Sequence, residues 1–124
     1  MAKIKGSDTK PEMMVRRLVH RMGFRYRSHV RKLPGSPDLV FSRRSAVIFV
    51  HGCFWHRHPD PTCKLARLPK SRIDFWGSKL DQNHQRDLKV QTQLNDDGWR
   101  VLIIWECELR DPDGVALKVK EFLA

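Results

Sequence analysis

Pro37-Asp-Leu-Val-Phe-Ser-Arg-Arg-Ser-Ala-Val-Ile-Phe-Val-His-Gly-Cys53 is the stretch that decides the fold. The turn Leu33-Pro-Gly-Ser-Pro37 stops whatever precedes it, and Asp38–Phe41 then reads as a short strand. Ala46–Val50 is an unbroken apolar run with β-branched residues, the composition of a strand covered on both faces. Arg43-Arg44-Ser45 makes a tight connection between them. The two strands therefore form a hairpin, with Asp38 and His51 on neighbouring strands.

Working outward from the hairpin, Phe24, Tyr26 and Ser28 alternate with Arg25, Arg27 and His29, which predicts a strand with one wet face. Before it, Thr9-Lys-Pro-Glu12 reads as a capping box with Pro11 in the first turn. Met13, Val15, Leu18 and Val19 follow, and Gly23 comes after Met22, so a helix is expected from Lys10 to Met22. On the other side, Gly52–Lys70 is rich in His, Cys and Pro, has no periodicity and needs something besides secondary structure to hold it. Ile73–Lys79 reads as a short helical piece with Phe75 and Trp76. Gln82–Asp97 reads as a polar helix with a weak stripe of Leu88, Val90 and Leu94, ended by Gly98. Trp99–Trp105 is a second buried strand, and Asp111-Pro112 opens a last helix through Val115–Leu123. The order α-β-β-β-α-β-α predicts an α/β fold, a small mixed central sheet flanked by helices, in one domain over residues 1–124.

A chain of 124 residues buries a modest core, which a structural metal would help. A hydrophobic content of 40% argues against disorder. The longest apolar runs, such as Val101–Trp105, are far too short to span a bilayer, and Met-Ala-Lys-Ile-Lys-Gly has no apolar signal region. A soluble, cytoplasmic protein with no membrane partner is expected. The net charge is +10, from 24 Lys and Arg against 14 Asp and Glu. Between Met13 and Ser45 stand Arg16, Arg17, Arg21, Arg25, Arg27, Arg31, Lys32, Arg43 and Arg44, with Asp38 the only acid. Such a footprint attracts phosphate backbones; a solvated basic face or an anionic membrane would suit it too.

Three cysteines, Cys53, Cys63 and Cys107, are an odd number that argues against a disulfide framework. Cys53, His58 and Cys63 have the spacing Cys-x4-His-x4-Cys, and with Cys107 they could make a closed Cys3His zinc site. Three unrelated buried thiols would explain the same residues, and His51, His56 and His58 compete for the fourth place. Asp38 can hold a hard Mg2+ ion, with the carbonyl of Val50 beside it. His51 and His56 flank that position and could activate a water or orient a phosphate, and Glu12 could reach the metal waters. The plainer alternative is that Asp38 is a turn residue and Glu12 only closes the capping box. Phe54, Trp55 and Trp76 lie near cationic residues, as rings that wedge between base steps do; rings packed on the cysteine loop are the alternative.

Pro34-Gly-Ser-Pro-Asp38, Val47-Ile-Phe-Val-His-Gly-Cys-Phe-Trp-His56, Phe75-Trp76 and Gly98-Trp-Arg-Val-Leu-Ile-Ile-Trp-Glu-Cys107, with Asp8-Thr-Lys-Pro-Glu12 before them, resemble the very-short-patch-repair (Vsr) mismatch endonucleases. The resemblance covers nearly the whole chain, from Met1 to Arg110. It implies a restriction-endonuclease-like fold with a variant PD-(D/E)xK centre, and Mg2+-dependent nicking of one strand 5′ to the thymine of a T:G mismatch. It implies Asp38 and the Val50 carbonyl as Mg2+ ligands, and His51 as a support of the metal-water and phosphate network. His56 would be the general base, and Glu12 would hold metal waters. Zinc would sit on Cys53, His58, Cys63 and Cys107, and Phe54, Trp55 and Trp76 would wedge beside the mismatch. Double-stranded DNA with a T:G mismatch is the implied partner, with a DNA cytosine methyltransferase system and mismatch-repair factors behind it, and a monomer at a bacterial nucleoid is expected. The family's best-known member has threonine where this chain has Val50 and a shorter spacing between the equivalents of His58 and Cys63. Its DNA-embracing N-terminal arm would be shortened here, Met1 and Ile4 matching its end.

Overall fold

The structure, a computed structural model, describes residues 9–28, 30–53, 63 and 73–124, and for 73–77 only the helical backbone. Its elements are helix α1 (Lys10–Arg21), strands β1 (Leu39–Phe41) and β2 (Ala46–His51), helix α2 (Ile73–Asp96), strand β3 (Arg100–Trp105) and helix α3 (Pro112–Leu123). Short 3-10 turns, Ser42–Arg44 and Glu106–Arg110, join β1 to β2 and β3 to α3. The sheet has the order β1-β2-β3. β1 runs antiparallel to β2, with Leu39 opposite Ile48, and β3 runs parallel to β2 from Ala46↔Arg100 to His51↔Trp105. A parallel neighbour needs a crossover, and α2 supplies it.

β2 explains why its sequence is apolar throughout. Ala46 and Ile48 join a core with Val15 and Val19 of α1, Leu39, Phe41, Ile104, and Val115, Val119 and Leu123 of α3. Val47 and Phe49 face the opposite way, into a second core with Val40 and Leu94, against which Val90, Val101 and Ile103 pack. Helices α1 and α3 thus cover one face and α2 the other, so no residue of the central strand can be polar until His51 at its end. No helix among the described residues is long and apolar enough to cross a membrane.

The expected strand at Phe24–Ser28 is only a single bridge. Arg27 exchanges both backbone hydrogen bonds with Val40, at 3.0 and 2.7 Å, and pairing goes no further. β1 is three residues long and offers little more to pair with. Tyr26 packs edge-on against Phe41, ring centres 6.2 Å apart, and Arg25 turns back to the His20 carbonyl. The two expected helical pieces after residue 72 are one helix of 24 residues. Its inward stripe is Leu80, Asn83, Asp87, Val90 and Leu94 at helical spacing, and two of those positions are polar. Leu88, expected in the stripe, is exposed. Gly98, at φ +91°, ends the helix in the left-handed conformation, with the Trp99 N–H on the Leu94 carbonyl.

Candidate active site and cysteine centre

The open end of the β1–β2 hairpin gathers side chains from three elements. Asp38 enters β1 with its Oδ2 accepting a hydrogen bond from the Val50 N–H at 2.7 Å. That bond crosses the hairpin and fixes the carboxyl against β2. Glu12 comes down from the first turn of α1. The N-cap is as expected, with Thr9 Oγ1 accepting from the Glu12 N–H at 3.4 Å. The Glu12 side chain, however, does more than a capping box requires. It is 4% exposed, reaches across to hydrogen-bond Asp38, and pairs with Arg16 Nη2 at 2.8 Å.

Burial, and then the Glu12 hydrogen bond, push the Asp38 carboxyl up to about 8; the Val50 N–H and the Arg16 charge pull the other way without winning. Two carboxyls meeting in a half-dry corner, with one guanidinium paired to Glu12, are short of positive charge. A divalent cation with a preference for oxygen donors would correct that deficit, so the donor set suits Mg2+. His51 follows Val50 directly and is 5% exposed. Its ring stands edge-on to Trp105 at 5.2 Å and tilted against Phe49 at 5.8 Å, which holds one orientation.

The cysteine centre follows from strand register. β2 and β3 run parallel with His51 opposite Trp105. Two residues beyond each, Cys53 and Cys107 leave the sheet together, and Cys63 returns to meet them. The three sulfurs lie within 4.8 Å of one another and form no disulfide. The Cys107 N–H points at Cys53 Sγ, 3.4 Å away. Burial first, then crowding with its neighbours, pushes the Cys53 thiol up to about 12; burial also raises Cys107. A soft metal ion would reverse this by taking the thiolates, and three converging sulfurs are the donor set zinc uses. The turn carrying Cys107 is braced. Glu108 Oε1 accepts from the Trp105 N–H at 2.9 Å, and its Oε2 pairs with Lys118 of α3 at 2.8 Å.

Of the expected site residues, Glu12, Asp38 and Val50 come together, His51 adjoins them, and Cys53, Cys63 and Cys107 converge. His56, His58, Phe54, Trp55, Met1 and Ile4 lie outside the described residues, and Trp76 is described only as helical backbone in the first turn of α2. Arg16 and Glu108 are members of these constellations that sequence reasoning missed. The Glu12-x3-Arg16 spacing, one helical turn, was the available signal for the first.

The family model described as DNA mismatch endonuclease Vsr matches residues 1–63. The chain is 43% identical over 123 residues to the Type II nicking enzyme V.XorIIP of Xanthomonas oryzae pv. oryzae, covering 99% of this chain and 88% of that one. It is 42% identical over 110 residues to the DNA mismatch endonuclease Vsr of Escherichia coli (strain K12), covering 89% of this chain and 69% of that one. In structure it resembles the Homing Endonuclease I-Bth0305I Catalytic Domain, with a TM-score of 0.62 at 21% identity over 93% of this chain and 94% of the other; that likeness is one of fold. The hairpin that brings Asp38 to Glu12, the cysteines beyond it and relatives matched over most of their length agree: this chain belongs to the Vsr family and is a DNA endonuclease of the nicking kind.

Proposed function

We propose that this enzyme nicks one strand of duplex DNA 5′ to the thymine of a T:G mismatch, with Mg2+ held at Asp38. The observation that carries the proposal is the Glu12–Asp38 carboxyl pair at the open end of the hairpin, fixed by the Val50 N–H and Arg16. Mg2+ bound there would polarise the scissile phosphate and acidify a water. Asp38 would be the principal ligand, with the Val50 carbonyl helping. Glu12 would hold the waters of the metal, and Arg16 keeps Glu12 in place. His51 supports the phosphate, and His56 takes the proton from the attacking water. Cys53, Cys63 and Cys107 would hold zinc, with His58 as fourth ligand, and the ion would tie the end of β2 to the end of β3. Phe54, Trp55 and Trp76 wedge into the duplex, where opening a step costs least at a mismatch. The fold class that goes with this chemistry is the restriction-endonuclease-like one, with Asp38 as the first acid of a PD-(D/E)xK variant.

A restriction-type endonuclease that cuts unmismatched duplex DNA is the second reading; a relative named a Type II nicking enzyme, with no mismatch in its name, keeps it in view. A zinc-stabilised module that binds without cutting is disfavoured, because binding alone has no use for the Glu12–Asp38 pair. A nicking assay with T:G and T:A duplexes of one sequence context decides among the three. Mismatch-directed nicking predicts cutting of T:G alone. Equal cutting of both duplexes refutes the mismatch reading, and tight binding without Mg2+-dependent cutting refutes catalysis.

A further inference from the structure

Two concavities lie along the basic stretch between α1 and the hairpin turn. The first, about 600 Å³, is lined by Arg16, Arg17, His20, Arg21 and Tyr26 among others. The second, about 770 Å³, is lined by Tyr26 together with Arg25, Arg27, Arg43 and Arg44. Tyr26 lines both, so the two are adjacent, and together they make a basic depression that extends from Arg16, which holds Glu12, to the hairpin turn at Arg43, the far end of the strands from Asp38.

The arginines in this depression are of two kinds. Arg25 donates to the His20 carbonyl at 3.2 Å, and Arg44 to the Leu123 carbonyl at 2.7 Å, so both brace ends of helices. Arg17, Arg21, Arg27 and Arg43 are exposed, and their guanidiniums have no partner among the described residues. No exposed acid lies between Met13 and Ser45 to balance them. Unbalanced like charge along one depression costs the fold stability, and a polyanion laid in it removes that cost. Arg17 and Arg21 stand one helical turn apart, about 6 Å along the axis. That is comparable to the separation of successive phosphates along one DNA strand.

We propose that Arg17, Arg21, Arg27 and Arg43 form a phosphate track that carries the backbone of the duplex flanking the nick, away from the Asp38 end. The proposal rests on the chain acting on DNA and not on its preference for a mismatch. The track adds affinity and orientation to an enzyme whose chemistry lies elsewhere.

The test uses two double variants, Arg17→Gln/Arg21→Gln and Arg27→Gln/Arg43→Gln. Binding without Mg2+ to duplexes that carry one site shown to be nicked is titrated with salt, one duplex ending close to that site and one extended by about a helical turn on each side. Each pair is expected to reduce the slope of log K against log salt by about 2 on the long duplex. The short duplex keeps its slope, and the turnover rate on saturating DNA stays within two-fold. An unchanged slope on the long duplex overturns the proposal. An equal loss on both duplexes overturns it as well, because the charges would then act at the nick. Arg→Lys versions, which keep the charge, are expected to retain the slope, and a slope lost in them would mean a structural role. Equal nicking of T:G and T:A would refute the mismatch reading and leave the slope experiment untouched.

Discussion

Asp38→Asn should make the Mg2+-free enzyme more stable while abolishing cleavage. The Asp38 carboxyl sits at about 8 in the fold against 3.8 as a free group, chiefly through burial. A raised acid binds its proton more tightly in the folded chain. Its favourable contribution is therefore complete below about pH 4 and is lost as the pH climbs toward 8. The interval from 3.8 to pH 7, at about 1.4 kcal/mol per unit, caps the penalty of the ionised group at about 4 kcal/mol. Asparagine keeps an oxygen for the Val50 N–H, now 2.7 Å from Oδ2, and gives Glu12 an N–H in place of a second acid. Relaxation and water entry reduce the gain, so about 1–3 kcal/mol at pH 7 is expected. Urea denaturation of both proteins at pH 5, 6, 7 and 8 without added Mg2+ measures it. The gap should widen with pH, and Mg2+ should narrow it by stabilising the wild type. An Asn variant less stable at pH 7, or a gap flat from pH 5 to 8, refutes the electrostatic account of the site.

If the cysteine centre takes zinc as proposed, Cys107→Ser should weaken zinc binding and lower the melting temperature, because the site loses one of its three converging thiolates; zinc retained with unchanged affinity in a chelator competition would remove Cys107 from the ligand set. Gly35→Ala should cost about 2–4 kcal/mol, because Gly35 has φ +73° and an added Cβ would stand 2.6 Å from Val90 Cγ1. Val90→Ala in the same chain should recover part of that loss, and a denaturation cycle over the four proteins shows whether it does. Arg16→Leu should destabilise by about 3 kcal/mol at pH 7, since it strands Glu12 in a buried corner; a loss under about 1 kcal/mol would mean that water reaches the pair.

The hairpin was legible because both strands obey strong local rules: a double-sided apolar run and a Pro-Gly-Ser-Pro stop. The crossover helix was not, because Asn83 and Asp87 occupy inward positions on its stripe and hide the periodicity. Phe24–Ser28 alternates like a strand, yet alternation only makes a strand where a partner is long enough to pair, and β1 is not. Cys53 and Cys63 were visible as a spacing and Cys107 as the third cysteine of the set; the parallel register of β2 and β3 is what brings Cys107 to Cys53. Arg16 was passed over as one arginine among many; its role depends on Glu12 turning toward Asp38, which no local pattern encodes.

The parallel pairing of β2 and β3 also sets an order in time. The β1–β2 hairpin closes over a few residues, so Asp38 and the Val50 N–H meet through local contacts. β3 docks only after residues 52–99 have been gathered, and contacts that close long loops form late. Cys107 reaches Cys53 with that docking and not before. The Asp38–Val50 contact is thus a local one, whereas the meeting of the three cysteines waits until the sheet is complete.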